Sequence, residues 1–110
     1  EKDGKLVMVV GTPGGSTIIT SVFQTIIDVI EFDQNMQQAV ASKRFHSQWL
    51  PDEVAAEKGA LDSLTIIKLQ NKGYKITSRG GIGRVDAILK TKQGYEGGAD
   101  PRGDDTKLGY

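Results

Sequence analysis

Gly11-Thr12-Pro13-Gly14-Gly15-Ser16 is the stretch of this chain whose residue types and spacing could do chemistry. It follows the apolar run Leu6-Val7-Met8-Val9-Val10 and opens onto Thr17-Ile18-Ile19-Thr20-Ser21-Val22-Phe23, an order that reads as strand, tight turn, helix. Two adjacent glycines let backbone approach a ligand closely, since neither carries a Cβ that obstructs it or disfavours positive φ. The helix that follows turns its free N–H groups and positive dipole end toward the same spot. Such a corner holds negative charge, either a bound anion or an oxyanion formed during a reaction. The same residues also serve a plain strand-to-helix turn that needs glycine only for its geometry.

Nucleotide readings of the corner fail. A P-loop needs Gly-Lys followed by Ser or Thr, and here Gly14-Gly15 runs into Ser16-Thr17 with no lysine. Nor do Gly11, Gly14 and Gly15 give the G-x-G-x-x-G spacing of a dinucleotide site.

The elements around the corner follow from pattern. The 110 residues are expected to form a single unit, with room for a modest core. Fourteen basic and fourteen acidic residues cancel, so no excess charge draws the chain to nucleic acid or an anionic membrane. There are no cysteines, hence no disulfides or thiolate metal sites. The longest apolar-rich stretch, Ile18 to Phe32, is broken by polar residues and cannot span a bilayer. Fourteen glycines, nearly twice the usual share of about 7%, cluster at element ends.

Lys5 to Val10 reads as a strand, preceded by the hairpin pair Asp3-Gly4, with its partner expected before residue 1. Ser16 or Thr17 is expected to cap a helix running to about Ile30. Its stripe of Ile19, Val22, Phe23, Ile26, Ile27 and Ile30 should be buried against a sheet. A second short helix takes Asp33 as cap and turns Met36, Ala39 and Val40 inward. Phe45 to Pro51 has no period, and its aromatics suggest a packed connector. Asp52 to Lys58 reads as a strand, and Asp62 caps a helix over Ser63 to Asn71 closed by Lys72-Gly73. Tyr74 to Thr77 is strand-like. Gly83 to Thr91 alternates with period two, Gln93-Gly94 turns it, and Tyr95 to Ala99 returns antiparallel. The expected class is α+β, antiparallel strands with helices packed on one face.

Four separated motifs now carry a resemblance. Gly11-Thr12-Pro13-Gly14-Gly15-Ser16 into Ile18-Ile19-Thr20, then Arg44-Phe45-His46-Ser47-Gln48-Trp49-Leu50-Pro51-Asp52, then Gly98-Ala99-Asp100-Pro101-Arg102, and finally Gly109-Tyr110, resemble the C-terminal part of the γ-glutamyltransferase family. The likeness runs over nearly the whole chain and is weakest at Gly80 to Arg84. It implies an N-terminal-nucleophile hydrolase, made as a precursor that cleaves itself into large and small subunits and folds as an αββα sandwich. It implies a periplasmic or extracellular location, γ-glutamyl amides such as glutathione as substrates, and acyl transfer to a threonine at the small subunit's new N-terminus, whose α-amine is the base. Gly14 and Gly15 then supply oxyanion-hole N–H groups.

The Thr-Thr-His segment that carries the nucleophile is absent from these 110 residues, as are the acidic and Ser-Ser segments that hold the substrate's glutamate moiety. The chain is therefore expected to be the C-terminal portion of a small subunit, whose partners are the rest of that subunit and the large subunit. By itself it should be inactive, and its uncovered strand and helix should make it a homo-oligomer. A related acylase or capsule-polymer depolymerase on the same fold, or an inert anion-binding or assembly module, are the alternatives.

Other residues suggest less. His46, the only histidine, sits between Phe45 and Trp49 and is read as a structural hydrogen-bonding residue. Asp100 and Arg102 flank Pro101, either as a carboxylate clamp or as a turn-stabilising ion pair; the ion pair is preferred. Thr17, Thr20 and Thr25 lie in a helix without a neighbouring base. Asp104-Asp105 has no histidine near it, and neither a metal nor a cofactor is expected.

Overall fold

The computed structural model describes residues 1–108; the Gly109-Tyr110 motif lies outside the described residues. Nine elements follow in the order β1 (Met8–Gly11), α1 (Thr17–Ile30), α2 (Met36–Ala41), β2 (Phe45–His46), β3 (Val54–Ala56), α3 (Ser63–Asn71), β4 (Ile76–Ser78), β5 (Asp86–Lys90) and β6 (Tyr95–Gly98). They form two three-stranded sheets, β1-β5-β6 and β2-β3-β4. The class is α+β, as expected.

The first sheet is antiparallel throughout, pairing Met8 with Leu89 and Gly11 with Asp86, then Ala87 with Gly98 and Lys90 with Tyr95. The β5–β6 hairpin closes through Thr91 N–H on Gly94 C=O, as the Gln93-Gly94 signal predicts. α2 lies on this sheet. Met36, Ala39, Val40, Val85 and Ala87 make the core between them, flanked by Met8, Val10, Val29 and Leu89. The inward trio of α2 is therefore as read, but its cap is Asn35. Asn35 accepts from Gln38 N–H while the Gln38 side chain accepts from Asn35 N–H, so both orphan donors are satisfied. Asp33, the expected cap, sits instead at φ +52° in the turn between the helices.

The second sheet is mixed. Phe45–His46 runs antiparallel to β3, but β3 and β4 pair in parallel, Val54 with Ile76 and Ala56 with Ser78, with α3 as the crossover. The Asp62 cap accepts from Thr65 N–H, and α3 ends where Lys72-Gly73 was expected to close it. Parallel pairing departs from the expected all-antiparallel set, because a helix between two short strands carries the chain back to the starting edge.

Two further expectations are corrected. The apolar stripe of α1 is not buried: Ile19 is 78% exposed, Phe23 61% and Ile30 58%. The buried row is Thr17, Ser21 and Thr25, spaced by four on the opposite face. These side chains are small enough for close approach, and Thr25 satisfies its hydroxyl on the Ser21 carbonyl at 2.9 Å. The Phe45–Pro51 connector is likewise not packed, since Trp49 is 80% exposed and only His46 of the stretch is buried. Asp3-Gly4 does form a tight turn, but it closes on Lys2 and Lys5 through two main-chain bonds of 3.0 Å. Among the described residues β1 pairs only with β5, so it stands at a sheet edge.

The radius of gyration is 15.1 Å, larger than the ~13 Å of a compact domain of this length. The molecule is a spread layer.

Gly98 faces α2 with no room to spare. A Cβ there would lie 2.7 Å from the Met36 carbonyl oxygen and 3.0 Å from Val40 Cγ1. Gly98→Ala is expected to destabilise by about 1–3 kcal/mol through overpacking, measured by urea unfolding; unchanged stability would show a slack layer.

Candidate functional site

The corner leaves β1 at Gly11 and enters α1 at Thr17. Gly14 has φ +137° and Gly15 φ +58°, both in the region that favours glycine. Ser16 stands at the cap position, yet its side chain makes no capping bond, which corrects the expected cap. The Thr17 hydroxyl instead turns back to donate to the Gly14 carbonyl at 3.0 Å, beside Thr17 N–H at 3.2 Å. A Cβ on Gly14 would sit 2.5 Å from Thr17 Oγ1 and 3.8 Å from Gly83 Cα; one on Gly15 would meet nothing within 4 Å. The N–H groups of Gly14 and Gly15 donate to no acceptor among the described residues. Both residues are exposed. Two free donors on an exposed turn can donate to a carbonyl oxygen or an oxyanion.

Gly83 lies behind Gly14, at φ +69°, where a Cβ would come within 2.6 Å of Ser21 Oγ and 3.1 Å of Thr12 Oγ1. The stretch around it, where the sequence offers no motif, is held by a buried cluster of four charges. Glu57 Oε1 accepts from Ile82 N–H at 2.6 Å, Arg44 donates to the Ile82 carbonyl at 2.9 Å, and Asp100 Oδ2 accepts from Val85 N–H at 2.7 Å. Arg44 pairs with Asp100 at 2.9 Å, and Arg102 pairs with Glu57 at 2.5 Å and with Asp100 at 2.9 Å. Arg102 spends all five donors, on Glu57, Asp100 and the carbonyls of Val40 and Ser42. None remains for a substrate carboxylate, so the clamp reading gives way to the ion pair.

Sequence reasoning picked out Asp100 and Arg102 but missed Arg44 and Glu57 as their partners. One signal was available: Glu57 closes the apolar Val54-Ala55-Ala56, and a charge at the end of a buried strand needs a partner. Burial pushes Asp100 upward, but bonds from Val85 N–H, Arg102 and Arg44 outweigh it and hold the carboxyl below its ordinary value. Glu57 is likewise held low, burial being outweighed by Arg102 and the main-chain N–H groups of Ile82 and Arg44.

His46 is buried with both ring nitrogens engaged, Nδ1 by Thr20 Oγ1 and Nε2 by Gln48 Oε1, each at 2.8 Å, which corrects the expectation that Thr20 has no neighbouring base. Asp104 and Asp105 both meet the Arg84 guanidinium. Among the described residues no group of histidines and carboxylates could hold a metal ion.

The family described as Gamma-glutamyltranspeptidase matches residues 1–110. The chain belongs to the γ-glutamyltranspeptidase family. It is 42% identical over 112 aligned residues to the glutathione hydrolase proenzyme of Escherichia coli, a match covering 99% of this chain and 19% of that protein. A γ-glutamyltranspeptidase of Helicobacter pylori superposes with a TM-score of 0.86 at 41% identity, covering 94% of this chain and 57% of the solved one. One from Pseudomonas nitroreducens gives 0.88 at 34%, covering 100% and 58%. The chain thus spans about a fifth of its curated relative and under three fifths of these solved chains. The α+β layer is part of the N-terminal-nucleophile hydrolase fold of γ-glutamyltranspeptidases.

Removing one member of the charge cluster strands its partner. Asp100→Ala is expected to cost about 3–5 kcal/mol, because Arg44 is then buried unpaired. Asp100 and Glu57 have folded values below the ordinary 3.8 and 4.5. Their contribution is therefore intact above those ordinary values and is lost as the pH falls through the depressed folded values. Urea unfolding of wild type and variant should show a gap at pH 7 that narrows on acidification below 3.8.

Proposed function

We propose that this chain is the C-terminal portion of the small subunit of a γ-glutamyl transferase or hydrolase, and that Gly14 and Gly15 are its oxyanion-hole donors. The observation that carries the reading is the pair of free N–H groups on a glycine turn of fixed geometry. Family membership and a match over 99% of this chain support it. The substrate is a γ-glutamyl amide of the glutathione type. A threonine outside these residues attacks the γ-carbonyl with its own α-amine as base. The developing oxyanion takes hydrogen bonds from Gly14 and Gly15, its collapse breaks the C–N bond and expels the amine with the proton the α-amine had taken, and water or a second amine then frees the γ-glutamyl group from its threonine ester.

The rest of the small subunit and the large subunit are the proposed partners, covering the apolar face of α1 and the free edge of β1. The proposed location is periplasmic or extracellular; no helix of the described residues is long and apolar enough to cross a membrane.

Two expectations test this. In the full-length enzyme, Gly14→Ala should lower turnover roughly 100- to 1000-fold with little change in KM, the loss of one oxyanion donor. Gly15→Ala should be milder, since its Cβ meets nothing and only the positive φ resists it. Release of a chromogenic aniline from its γ-glutamyl anilide is the assay, the isolated 110-residue chain should show none, and wild-type turnover in both variants would leave the corner merely structural. Second, the isolated chain should self-associate through its uncovered faces. Sedimentation as a single species of 11.9 kDa would refute that.

A further inference from the structure

The direction of each free N–H is set by the peptide plane it belongs to, and in a trans peptide it points opposite to the carbonyl of the same plane. Gly14 N–H shares its plane with the Pro13 carbonyl, and Gly15 N–H with the Gly14 carbonyl; neither peptide is cis. Each of those carbonyls is gripped by one threonine hydroxyl. Thr12 Oγ1 donates to Pro13 C=O at 2.8 Å, and Thr17 Oγ1 donates to Gly14 C=O at 3.0 Å.

The Thr12 hydroxyl is also anchored from behind. It accepts from Arg84 N–H at 2.8 Å. Arg84 lies between Ile82 and Val85, whose N–H groups are held by Glu57 and Asp100. The buried charge cluster thus fixes the main chain on either side of Arg84, and from Arg84 N–H hydrogen bonds run through Thr12 Oγ1 to the Pro13–Gly14 peptide. The Thr17 grip rests on α1, where that side chain is buried. Glycine backbone is free to rotate, so a glycine pair aims its N–H groups only when something else fixes its planes.

From this we propose that Thr12 and Thr17 are positioning residues, their hydroxyls fixing the directions of Gly14 N–H and Gly15 N–H for the acyl-transfer step. The inference rests on the oxyanion-hole reading of the glycines. Valine keeps the shape of threonine and removes the hydroxyl, whereas serine keeps the hydroxyl and removes a methyl.

The experiment measures kcat and KM of the full-length enzyme on a chromogenic γ-glutamyl anilide, with thermal unfolding alongside, for Thr12→Val, Thr12→Ser, Thr17→Val, Thr17→Ser and Gly14→Ala. Each valine variant is expected to lose about 10- to 100-fold in kcat with KM within about threefold, as for donors displaced by a fraction of an ångström. The serine variants should return to within about threefold of wild type. Wild-type kcat in both valine variants, with Gly14→Ala still crippled, overturns the positioning role and leaves the oxyanion reading standing. Wild-type turnover in Gly14→Ala overturns that reading and this inference with it. Equal losses in valine and serine variants, together with a lowered unfolding temperature, mark a packing role and also overturn it. If Thr12→Val does not fold, Thr12→Ala at this half-buried position makes the same comparison against Thr12→Ser.

Discussion

Arg44, Arg102, Glu57 and Asp100 form the interaction on which the rest of the molecule depends. They come from four places: the exit of α2, the end of β3, and two positions just past β6. Buried ion pairs are weak stabilisers on balance, since desolvation offsets much of the attraction. What this cluster supplies is placement. Besides the arginines, its carboxylates accept main-chain N–H groups of Ile82, Val85, Arg44 and Arg102. The aliphatic core lies between α2 and one sheet and includes Val85 but not the turn at Gly83. The charges hold that turn in place where apolar packing alone leaves it free to slide.

The inverted burial of α1 follows from the same constraint. Gly83 approaches Ser21 closely, so the helix face turned toward it must be small. Thr17, Ser21 and Thr25 meet that need, and Thr17 and Thr25 send their hydroxyls to main-chain carbonyls. Gln24, one turn round, reaches the main chain of Phe45 with both ends of its amide and so ties the helix to β2. Ile18, Ile19, Phe23 and Ile30 are then left exposed, uncovered by any described layer. A dense apolar face beside a strand edge unpaired among the described residues is a surface that calls for cover, which accords with a chain spanning under three fifths of the two solved γ-glutamyltranspeptidases compared above.

Elements whose determinants are local were legible. Asp62 at the start of α3 and Lys72-Gly73 at its end fix the helix within its own sequence, and Gln93-Gly94 does the same for the β5–β6 hairpin. The face of α1 was not legible, because periodicity shows that an apolar stripe exists but not whether these residues cover it. The parallel pairing of β3 with β4 depends on where the crossover helix lands, which no short strand encodes. At the site, the glycine pair was readable as a corner since its chemistry is adjacent in sequence. Arg84 N–H meets Thr12 across 72 positions, and Arg44 meets Asp100 across 56, so nothing local announced them.

Corner and cluster together show how a turn made of the most flexible residues can have one conformation. Gly14 and Gly83 stand nearly back to back, and a side chain on either would strike Thr17 or Ser21. Glycine here is a demand of packing as much as of φ. Its freedom is then removed from outside, by hydroxyls on the carbonyls of Pro13 and Gly14. The carbonyl side of each peptide is satisfied by protein, while the N–H side is exposed and has no acceptor among the described residues. An exposed N–H loses little in water, so the turn bears no large penalty for leaving the bond unmade. On the proposed oxyanion-hole reading, such donors need no rearrangement when charge develops in front of them, which is the condition under which hydrogen bonds contribute most to lowering a barrier. On that reading stability and chemistry share one set of contacts: whatever loosens Ile82–Val85 loosens the backing of Thr12, and through it the aim of Gly14.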